Sequence, residues 1–354
     1  MTPFMTRRRL LASGALLSSA GFLSACAPEK DVNAAPQQER DRSDDRWLVA
    51  SNADEEAQDA MKAALRETPD LGSARIQGFG TSELAGKLLL LGPKLDVDVV
   101  TLSEPYLRSF EARARKEGRA LFLTLPPARE AVLDPTTPAT MAPLTALSGA
   151  ILLNEALLAE EGLPRPSSLI DLARPVYRSW LSIPRLEGST TGWLLALGLA
   201  AAVGEREAFR ILAEIEANAT PHLEMSGSGP LKKIRAGECA VGFGLRHQAA
   251  ADRAKGLPIV WTDPEEGTFS MVESAVALDK GADTRAGAAA FARALVECSR
   301  PKILEAYPTP LYQGERVPEE LRPPRPQRYP EPLTLELLER HKRLLAEARA
   351  ARRG

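Results

Sequence analysis

The apolar positions along the chain alternate between two periods. Residues 47–50 form a short apolar run typical of a buried strand, and a polar turn separates them from apolar positions at helical spacing over 57–65. The same order of strand, polar turn and helix recurs over 74–79 and 84–89. Strands that alternate with helices predict an α/β fold in which helices pack on both faces of the sheet.

The rest of the chain continues this pattern. Further strands are predicted at 97–102, 121–125, 150–153, 181–183, 240–244, 259–262 and 271–278, and further helices at 155–161, 168–172, 188–203, 207–217, 231–235, 286–297 and 335–348. A Pro-rich break at 135–143 precedes the strand at 150–153, so we expect the chain to leave a first lobe there. A chain of 354 residues is also long for one core, which favours two lobes.

Composition and charge narrow the possible functions. With 44% hydrophobic and 26% charged residues, the chain is typical of a folded globular protein. Once the three arginines of the leader are removed, 42 of the 45 basic residues remain against 47 acidic ones, a formal charge of −5. Affinity for a phosphate backbone comes from clustered Lys and Arg, so we expect no nucleic-acid partner.

The first 25 residues have the features of an export signal. Paired arginines at 7–9 precede a moderately apolar stretch at 10–22, which is typical of a twin-arginine secretory signal. The sequence Leu-Ser-Ala-Cys at 23–26 resembles the lipobox of bacterial lipoproteins, which implies a lipid on Cys26. The polar, Pro-rich segment 26–45 then predicts a flexible tether. We therefore expect an exported lipoprotein, held on a membrane through Cys26 and facing the periplasm or the outer surface.

Hydroxyl-bearing side chains recur where predicted strands end or helices begin. They form four groups: Ser51 with Asn52, Thr81 with Ser82, Ser189 with Thr190 and Thr191, and Ser226 with Ser228. A helix start offers free N–H groups and a positive dipole end, which can hold a phosphate, phosphonate, carboxylate or sulfate without a metal. Each turn could instead serve only as the cap of its own helix. If the four meet in one cleft of an α/β sheet, they predict an anion-binding site.

Motifs for other chemistry are missing from the sequence. The three histidines and three cysteines show no spacing typical of a zinc site. No phosphate-binding loop or complete dinucleotide glycine pattern occurs, and the sequence at 225–229 departs from the nucleophile elbow of hydrolases. We therefore expect no cofactor, no metal and no enzymatic activity. The sequence leaves open whether Cys239 and Cys298 pair.

Several weak motifs occur in a fixed order along the mature chain. They lie at 171–184, 188–192, 226–238, 254–259 and 264–268. Their order over residues 47–311 resembles the extracellular solute-binding proteins of ABC importers, which have the type II periplasmic-binding fold. The match is nearest to the ferric-iron and 2-aminoethylphosphonate-type branch.

This resemblance implies two α/β lobes joined by a hinge, with the ligand in the cleft between them. Lobe 1 would comprise 46–149 plus 273–354, and lobe 2 would comprise 150–272. The residues of the four turns named above would contact the ligand. Iron-binding members carry a tyrosine pair just after the strand at 241–244, where this chain has Arg246 and His247. Loss of both phenolates argues against Fe(III), and this pair would suit an anion or simply begin a surface helix.

The expected function follows from that resemblance and from the hydroxyl-rich turns. We expect the solute-binding component of an ABC importer, a monomer that closes on a small anionic solute and delivers it to an ABC permease. A phosphonate or a phosphate ester is the favoured solute. Two alternatives stay open: a ferric-iron-type binding protein with altered ligands, and a lipid-anchored hydrolase or sensor on the same fold.

Overall fold

The computed structural model describes residues 45–128, 130–132 and 136–353. The predicted leader, Cys26 and nearly all of the predicted tether lie outside the described residues. The strands are β1 Trp47–Ser51, β2 Ala74–Gly78, β3 Val99–Ser103, β4 Ala142–Asn154, β5 Leu181–Pro184, β6 Leu223–Glu224, β7 Val241–Leu245, β8 Ile259–Thr262, β9 Thr268–Ala277 and β10 Pro326–Gln327. The α-helices are α1 Glu55–Glu67, α2 Thr81–Leu91, α3 Glu104–Lys116, α4 Glu155–Glu160, α5 Thr190–Val203, α6 Glu205–Ala219, α7 Gly229–Arg235, α8 Arg246–Ala254, α9 Ala288–Ala306 and α10 Leu335–Arg353.

Eight of the strands form one continuous path in the order β2-β1-β3-β9-β4-β7-β5-β6, and β8 and β10 pair with β4 and β9 beside this path. β1 pairs in parallel with β2 and β3, and β9 runs antiparallel to β3 and β4. The long strand β4 changes partners midway: residues 142–148 pair with β9, and residues 149–153 pair with β7. β4 thus connects two parts of the sheet.

Two large hydrophobic cores lie on these two parts of the sheet. Leu147 of β4 and Ala275 of β9 belong to a first core with α1 and α9. Leu153 of β4 and Met271 of β9 belong to a second core with α5 and α6. β4 and β9 therefore both pass from one core to the other. Helix α5 is apolar on all its sides, as expected of a helix that is buried over most of its length, here from Thr190 to Ala200.

Prolines lie inside the strand β4 and the helix α9. The break predicted at 135–143 is partly wrong because β4 begins at Ala142, and a register shift follows Pro143 and accommodates it in the strand. The predicted helix at 286–297 continues to Ala306 through Pro301.

The strand predicted at 121–125 is wrong, since a single bridge from Phe122 to Leu278 forms there.

The C-terminal helix α10 packs differently from the sequence-based division of the chain. That division placed residues 273–354 in the first lobe, but Leu337, Leu338 and Leu345 of α10 are buried in the second core. His341 is fully buried there, and its Nδ1 accepts a hydrogen bond of 3.0 Å from Nε1 of Trp193 on α5. An amphipathic stripe predicts burial, but it does not identify the surface that buries it.

None of the helices in the described parts of the chain has the length and apolar character needed to cross a membrane.

Candidate functional site

A cavity of about 230 Å³ is lined by Leu147 and Leu245 of the first core and by the start of α5, a helix of the second core. One side, which we call the first wall, consists of Asn52, Asp54, Thr81 and Glu273. The other side, which we call the second wall, consists of Ser189, Thr190, Thr191, Ser226 and Ser228. Leu147 and Leu245 add apolar surface. The cavity thus combines carboxylates, hydroxyls and a small apolar area.

Glu273 is the centre of the first wall. It lies on β9, is only 1% exposed, and accepts hydrogen bonds from three side chains. Asn52 Nδ2 donates to Oε1 over 2.7 Å, Ser103 Oγ donates to Oε1 over 3.5 Å, and Thr145 Oγ1 donates to Oε2 over 3.0 Å. Asn52 Nδ2 also donates to Thr81 Oγ1 over 3.2 Å. Asn52 therefore connects Thr81 and Glu273 of this wall through hydrogen bonds from its Nδ2.

The environment of Glu273 changes its protonation. Burial raises the pKa of this carboxyl from its ordinary 4.5 to about 7, and the negative charge of Asp54 adds to the rise. The hydrogen bonds from Thr145, Asn52 and Ser103 lower the pKa and offset part of that effect. The charge on the first wall therefore changes close to neutral pH.

Asp54 links the first wall to the start of α8. It caps α1, since its Oδ1 accepts from the amide of Ala57 over 3.2 Å, and its Oδ2 lies 3.1 Å from His247 Nε2. The Tyr307 hydroxyl donates a hydrogen bond to the same carboxylate. The oxygens of Asp54 and Glu56 and a ring nitrogen of His247 all lie within 4.8 Å of one another, a grouping able to hold a metal ion. Asp54 is therefore shared between the cavity and a second polar cluster.

The second wall depends on two glycines. The segment 188–191, which includes the start of α5, and the loop 225–228 approach so closely that a Cβ on Gly227 would lie 2.2 Å from Thr191 Oγ1, and one on Gly188 would lie 2.8 Å from the carbonyl oxygen of Met225. Ser189 caps α5 by accepting the amide of Thr191 over 3.1 Å. The hydroxyls of Thr190, Ser226 and Ser228 make no hydrogen bond to any side chain or backbone group among the described residues. They are available to a bound molecule.

The structure brings most of the sequence-predicted site residues together. Asn52, Thr81, Ser189, Thr190, Thr191, Ser226 and Ser228 all line the cavity. Ser51 lies behind it, fully buried, with its Oγ 2.7 Å from Thr101 Oγ1. Ser82 donates to the carbonyl oxygen of Glu187 over 2.9 Å and is not part of the lining.

Arg246 and His247, also predicted from the sequence, do not line the cavity. The Arg246 guanidinium pairs with Asp263 over 2.7 Å and donates to the carbonyl oxygen of Leu321 over 2.6 Å. His247 packs on Tyr307, with ring centres 3.9 Å apart, and contacts Asp54. Among the described residues that line the cavity, none is Lys, Arg or His. Arg246 therefore braces the chain near residue 321 and leaves the cavity without its charge.

Sequence reasoning missed the two carboxylates of the first wall. Asp54 had a local signal, because Asp is a favoured N-cap, but the sequence pattern placed the possible cap of this helix at Ser51 and Asn52 instead. Asn52 is not that cap, because the amide of Ala57 donates to Asp54 Oδ1, while Asn52 Nδ2 donates to Glu273 and Thr81. Glu273 is the one charged residue of strand β9, and a charge in a buried strand is a usable signal for a functional group. Cys239 and Cys298 are both free thiols.

Comparisons with known proteins identify the family and the fold. Residues 120–329 match the family model described as bacterial extracellular solute-binding protein. No curated protein matches the chain in sequence. The periplasmic binding protein AfuA from Actinobacillus pleuropneumoniae, with exogenous fructose-6-phosphate bound, has a similar structure with a TM-score of 0.67 and 17% identity, covering 85% of this chain and 97% of that chain.

Two further solved structures are similar. Iron-bound HitA from Pseudomonas aeruginosa has a TM-score of 0.64 and 17% identity, covering 86% of this chain and 99% of that chain. A periplasmic thiamin binding protein has a TM-score of 0.67 and 18% identity, covering 86% of this chain and 95% of that chain. At such identities the likeness concerns the fold alone, and it confirms the predicted α/β fold of type II periplasmic binding proteins. With a family model that matches more than half of its length, this chain belongs to the bacterial extracellular solute-binding proteins.

Proposed function

We propose that this protein captures a small anionic solute, a phosphonate or a phosphate ester by preference, and delivers it to an ABC permease. The observation that carries the proposal is the second wall, where the hydroxyls of Thr190, Thr191, Ser226 and Ser228 have no partner among the described residues and line one cavity at the start of α5 and the loop 225–228. Hydroxyls and backbone amides at a helix start are donors that suit the oxygens of an anion.

Two helices of sufficient length direct their N-termini to the cavity. α5 has 14 residues and begins at Thr190, and α2 has 11 residues and begins at Thr81. No side chain in the described parts of the chain caps α2, whose N-cap is Gly80, and a Cβ on Gly80 would meet nothing within 4 Å. Both ends carry partial positive charge and amide donors, which supports an anion in the absence of a basic side chain.

The similar structures narrow the ligand very little. Their titles name fructose-6-phosphate for AfuA, iron for HitA and thiamin for a third protein. One fold therefore serves an anion, a metal ion and an organic cation in different proteins. The choice for this chain depends on its own cavity, and the AfuA example is compatible with an anionic solute.

We further propose two lobes that close on the solute about a hinge in β4 and β9. Residues 46–149 with 273–334 would form lobe 1, and residues 150–272 with α10 would form lobe 2. The division follows the two cores, since both strands leave one core and enter the other. A solute that contacts both walls would favour the closed form.

A thermal-shift and calorimetric screen tests the proposed solute class. The panel is inorganic phosphate, alkylphosphonates, sugar phosphates, carboxylates, polyamines and Fe(III). A solute present at 100 times its Kd stabilises the protein by about 2.7 kcal/mol. We expect stabilisation by a phosphonate or phosphate ester, weakened in Ser228→Ala and unchanged in Ser73→Ala, an exposed serine outside the cavity lining. Stabilisation by polyamines or Fe(III) with no response to any anion would contradict the proposal.

A metal-binding function is the second candidate, and the cluster of Asp54, Glu56 and His247 favours it. Carboxylates with an imidazole can bind several transition metals, although the phenolate pair expected for ferric iron is absent from the sequence at 245–248. In the same screen this candidate predicts stabilisation by a metal ion that is lost in His247→Ala. Retention of the full metal response in that variant would contradict it.

The proposed lipid at Cys26 and the tether at 26–45 would hold the protein near its permease. Acyl chains contribute about 0.8 kcal/mol for each buried CH₂, so more than one chain gives stable attachment. We expect wild-type protein in the membrane fraction of cells and Cys26→Ser in the soluble fraction. Equal partition of the two would remove the anchor from the proposal.

A further inference from the structure

We infer that Arg349 of the C-terminal helix α10 positions the second wall of the cavity through its contact with Glu187. Arg349 does not line the cavity, so it would act on solute affinity only through the turn that it holds. Arg349 and Glu187 are 162 positions apart along the chain. The inference rests on the proposed function and adds a positioning residue to its site.

One face of α10 determines where Arg349 lies. His341 and Leu345 are fully buried, and Arg349 comes one helical turn after Leu345, so it shares their face of the helix. The Arg349 guanidinium donates to both carboxylate oxygens of Glu216 on α6, over 2.6 Å from Nε and 2.5 Å from Nη2. Glu216 is only 6% exposed. Arg349 is therefore anchored on the second core independently of the cavity.

The same guanidinium also binds Glu187. Its Nη1 donates to Glu187 Oε1 over 2.6 Å, and its Nη2 lies 3.4 Å from Oε2. Burial raises the pKa of the Glu187 carboxyl, but the hydrogen bonds and the charge of Arg349 outweigh burial and hold this pKa below its ordinary 4.5. The contact is therefore a pair of opposite charges with directed hydrogen bonds, which is stronger than a bond between neutral groups.

Glu187 directly precedes the second wall. The amides of Gly188 and Ser189 donate to the carbonyl oxygen of Arg185 over 3.3 Å and 3.2 Å, and these bonds close a turn at 185–189. Ser189 then caps α5. A change in the position of Glu187 would therefore move Ser189 and the start of α5, where hydroxyls line the cavity.

A second contact to Glu187 is weaker. Ser82 of α2 donates to the carbonyl oxygen of Glu187 over 2.9 Å, in a position exposed to solvent. An exposed bond between neutral groups contributes less than a charge-assisted pair on a buried anchor. Of the two contacts, the one from Arg349 should therefore determine the position of the turn.

Charge and positioning make opposite predictions for Glu187→Ala. This variant removes a negative charge beside the second wall, so a purely electrostatic effect would raise the affinity for an anion. Loss of the contact with Arg349 would instead let the turn move, and we expect affinity to fall by at least about fivefold. Calorimetry at pH 8 with butylphosphonate and with glycerol 3-phosphate measures the change.

Glu214→Ala is the matched control for that variant. Glu214 also lies on α6, pairs with Arg352 of α10 over 3.1 Å and does not line the cavity. The control removes the same charge and one contact between α6 and α10, but it leaves Glu187 and Arg349 in place. Its affinity should stay within about twofold of wild type.

Arg349→Lys tests the other side of the contact at constant charge. An ammonium group lacks the forked geometry with which the guanidinium binds two carboxylates, so we expect affinity to fall by at least about threefold. Arg352→Lys is the control on the same helix and should stay within about twofold of wild type. Urea unfolding of each variant verifies that it is folded under the conditions of the titration, so that a loss of affinity reports the site.

Hydrogen exchange examines the turn without any solute. The amides of Gly188, Ser189 and Thr191 are hydrogen-bonded within this segment, so their protection reports its order. We expect their exchange to be at least about fivefold faster in Glu187→Ala and Arg349→Lys than in wild type, and unchanged in the two control variants.

The outcomes separate this inference from the proposed function. Binding of neither compound to wild-type protein would count against the proposed anionic solute, and faster exchange in the two variants would still support the role of Arg349. Unchanged or higher affinity in Glu187→Ala would overturn that role, and so would unchanged exchange of the turn in both variants. Equal effects in the control variants would overturn it as well, because they would then come from the charge or packing of α10 in general.

Discussion

The two walls of the cavity differ in how their polar groups are used. On the first wall, Asn52, Thr81 and Glu273 are hydrogen-bonded to one another. On the second wall, Thr190, Ser226 and Ser228 have hydroxyls with no partner in the described structure. The first wall therefore has a fixed, hydrogen-bonded arrangement, whereas the second wall presents hydroxyls that are free to bond a solute.

The difference has its origin in the elements that carry the walls. Glu273 lies on β9, a strand paired on both sides, and its hydrogen-bond donors lie on or beside the neighbouring strands. The second wall consists of a helix start and a loop that touch through Gly188 and Gly227. The paired strands fix the position of the Glu273 carboxyl group, whereas the helix start and the loop of the second wall present hydroxyl and amide donors.

The largest expected effect is a pH dependence of the protein's free energy of unfolding, caused by protonation of Glu273 on the first wall. The pKa of the native carboxyl lies near 7, whereas the ordinary value of 4.5 applies to the unfolded chain. Between these two pH values Glu273 is therefore protonated in the native state and ionised in the unfolded state. The free energy of unfolding should therefore fall as pH rises from about 4.5 to about 7, by on the order of 3 kcal/mol, and show no further loss from this group above that range. Urea unfolding at several pH values measures it.

Glu273→Gln is the reference for that experiment, since it cannot titrate. The difference between wild type and variant should change with pH only in the stated window. Parallel stability profiles for the two proteins would mean that Glu273 does not titrate there.

Added volume should damage the second wall and spare the first. In Gly227→Ala the new methyl would lie 2.2 Å from Thr191 Oγ1, so the loop 225–228 and the start of α5 must separate. Overpacking of this kind costs about 1–3 kcal/mol, and solute affinity should fall by about tenfold to a hundredfold. Calorimetry with the phosphonate that binds wild type best measures the change.

Gly80→Ala is the matched change beside the first wall, where a Cβ meets nothing within 4 Å. Its affinity should stay within about threefold of wild type, because surface substitutions without a clash cost at most about 0.5 kcal/mol. Equal losses in the two variants would remove the proposed difference between the walls.

Removing one hydroxyl from each wall sharpens the comparison. Thr190→Val removes a donor that has no partner among the described residues, and a hydrogen bond to a charged solute contributes about 1.5–3 kcal/mol, so affinity should fall by at least about tenfold. Thr81→Val removes a hydroxyl that already accepts from Asn52, and its effect should be smaller. A larger loss in Thr81→Val would place the anionic end of the solute at the first wall.

The smallest expected effect concerns the contact between Ser82 and Glu187. This hydrogen bond is exposed to solvent, so Ser82→Ala should change solute affinity by about twofold or less, consistent with a net contribution near 0.5 kcal/mol. The same calorimetric titration measures it. A tenfold loss would instead indicate that Ser82 contacts the solute directly.

Local sequence patterns predicted the hydroxyl-rich turns because capping and helix initiation depend on neighbouring residues. Ser189 before α5 is such a case, and the pattern was sufficient to place it. Arg246 shows the limit of that reasoning. A basic residue after β7 suits an anion, but its guanidinium is bound by Asp263 and by the carbonyl oxygen of Leu321, 75 residues further along the chain.

The sequence alone determined the alternation of strands and helices, most element types and seven of the residues that line the cavity. These depend on periodicity and capping, which act over a few residues. Only the tertiary structure decided that Glu273 and Asp54 lie on one wall, that α10 packs on the second core, and that no described basic side chain lines the cavity. Glu273 and Asn52 are 221 positions apart, and their contact depends on which strands pair, a choice made by the burial of whole elements.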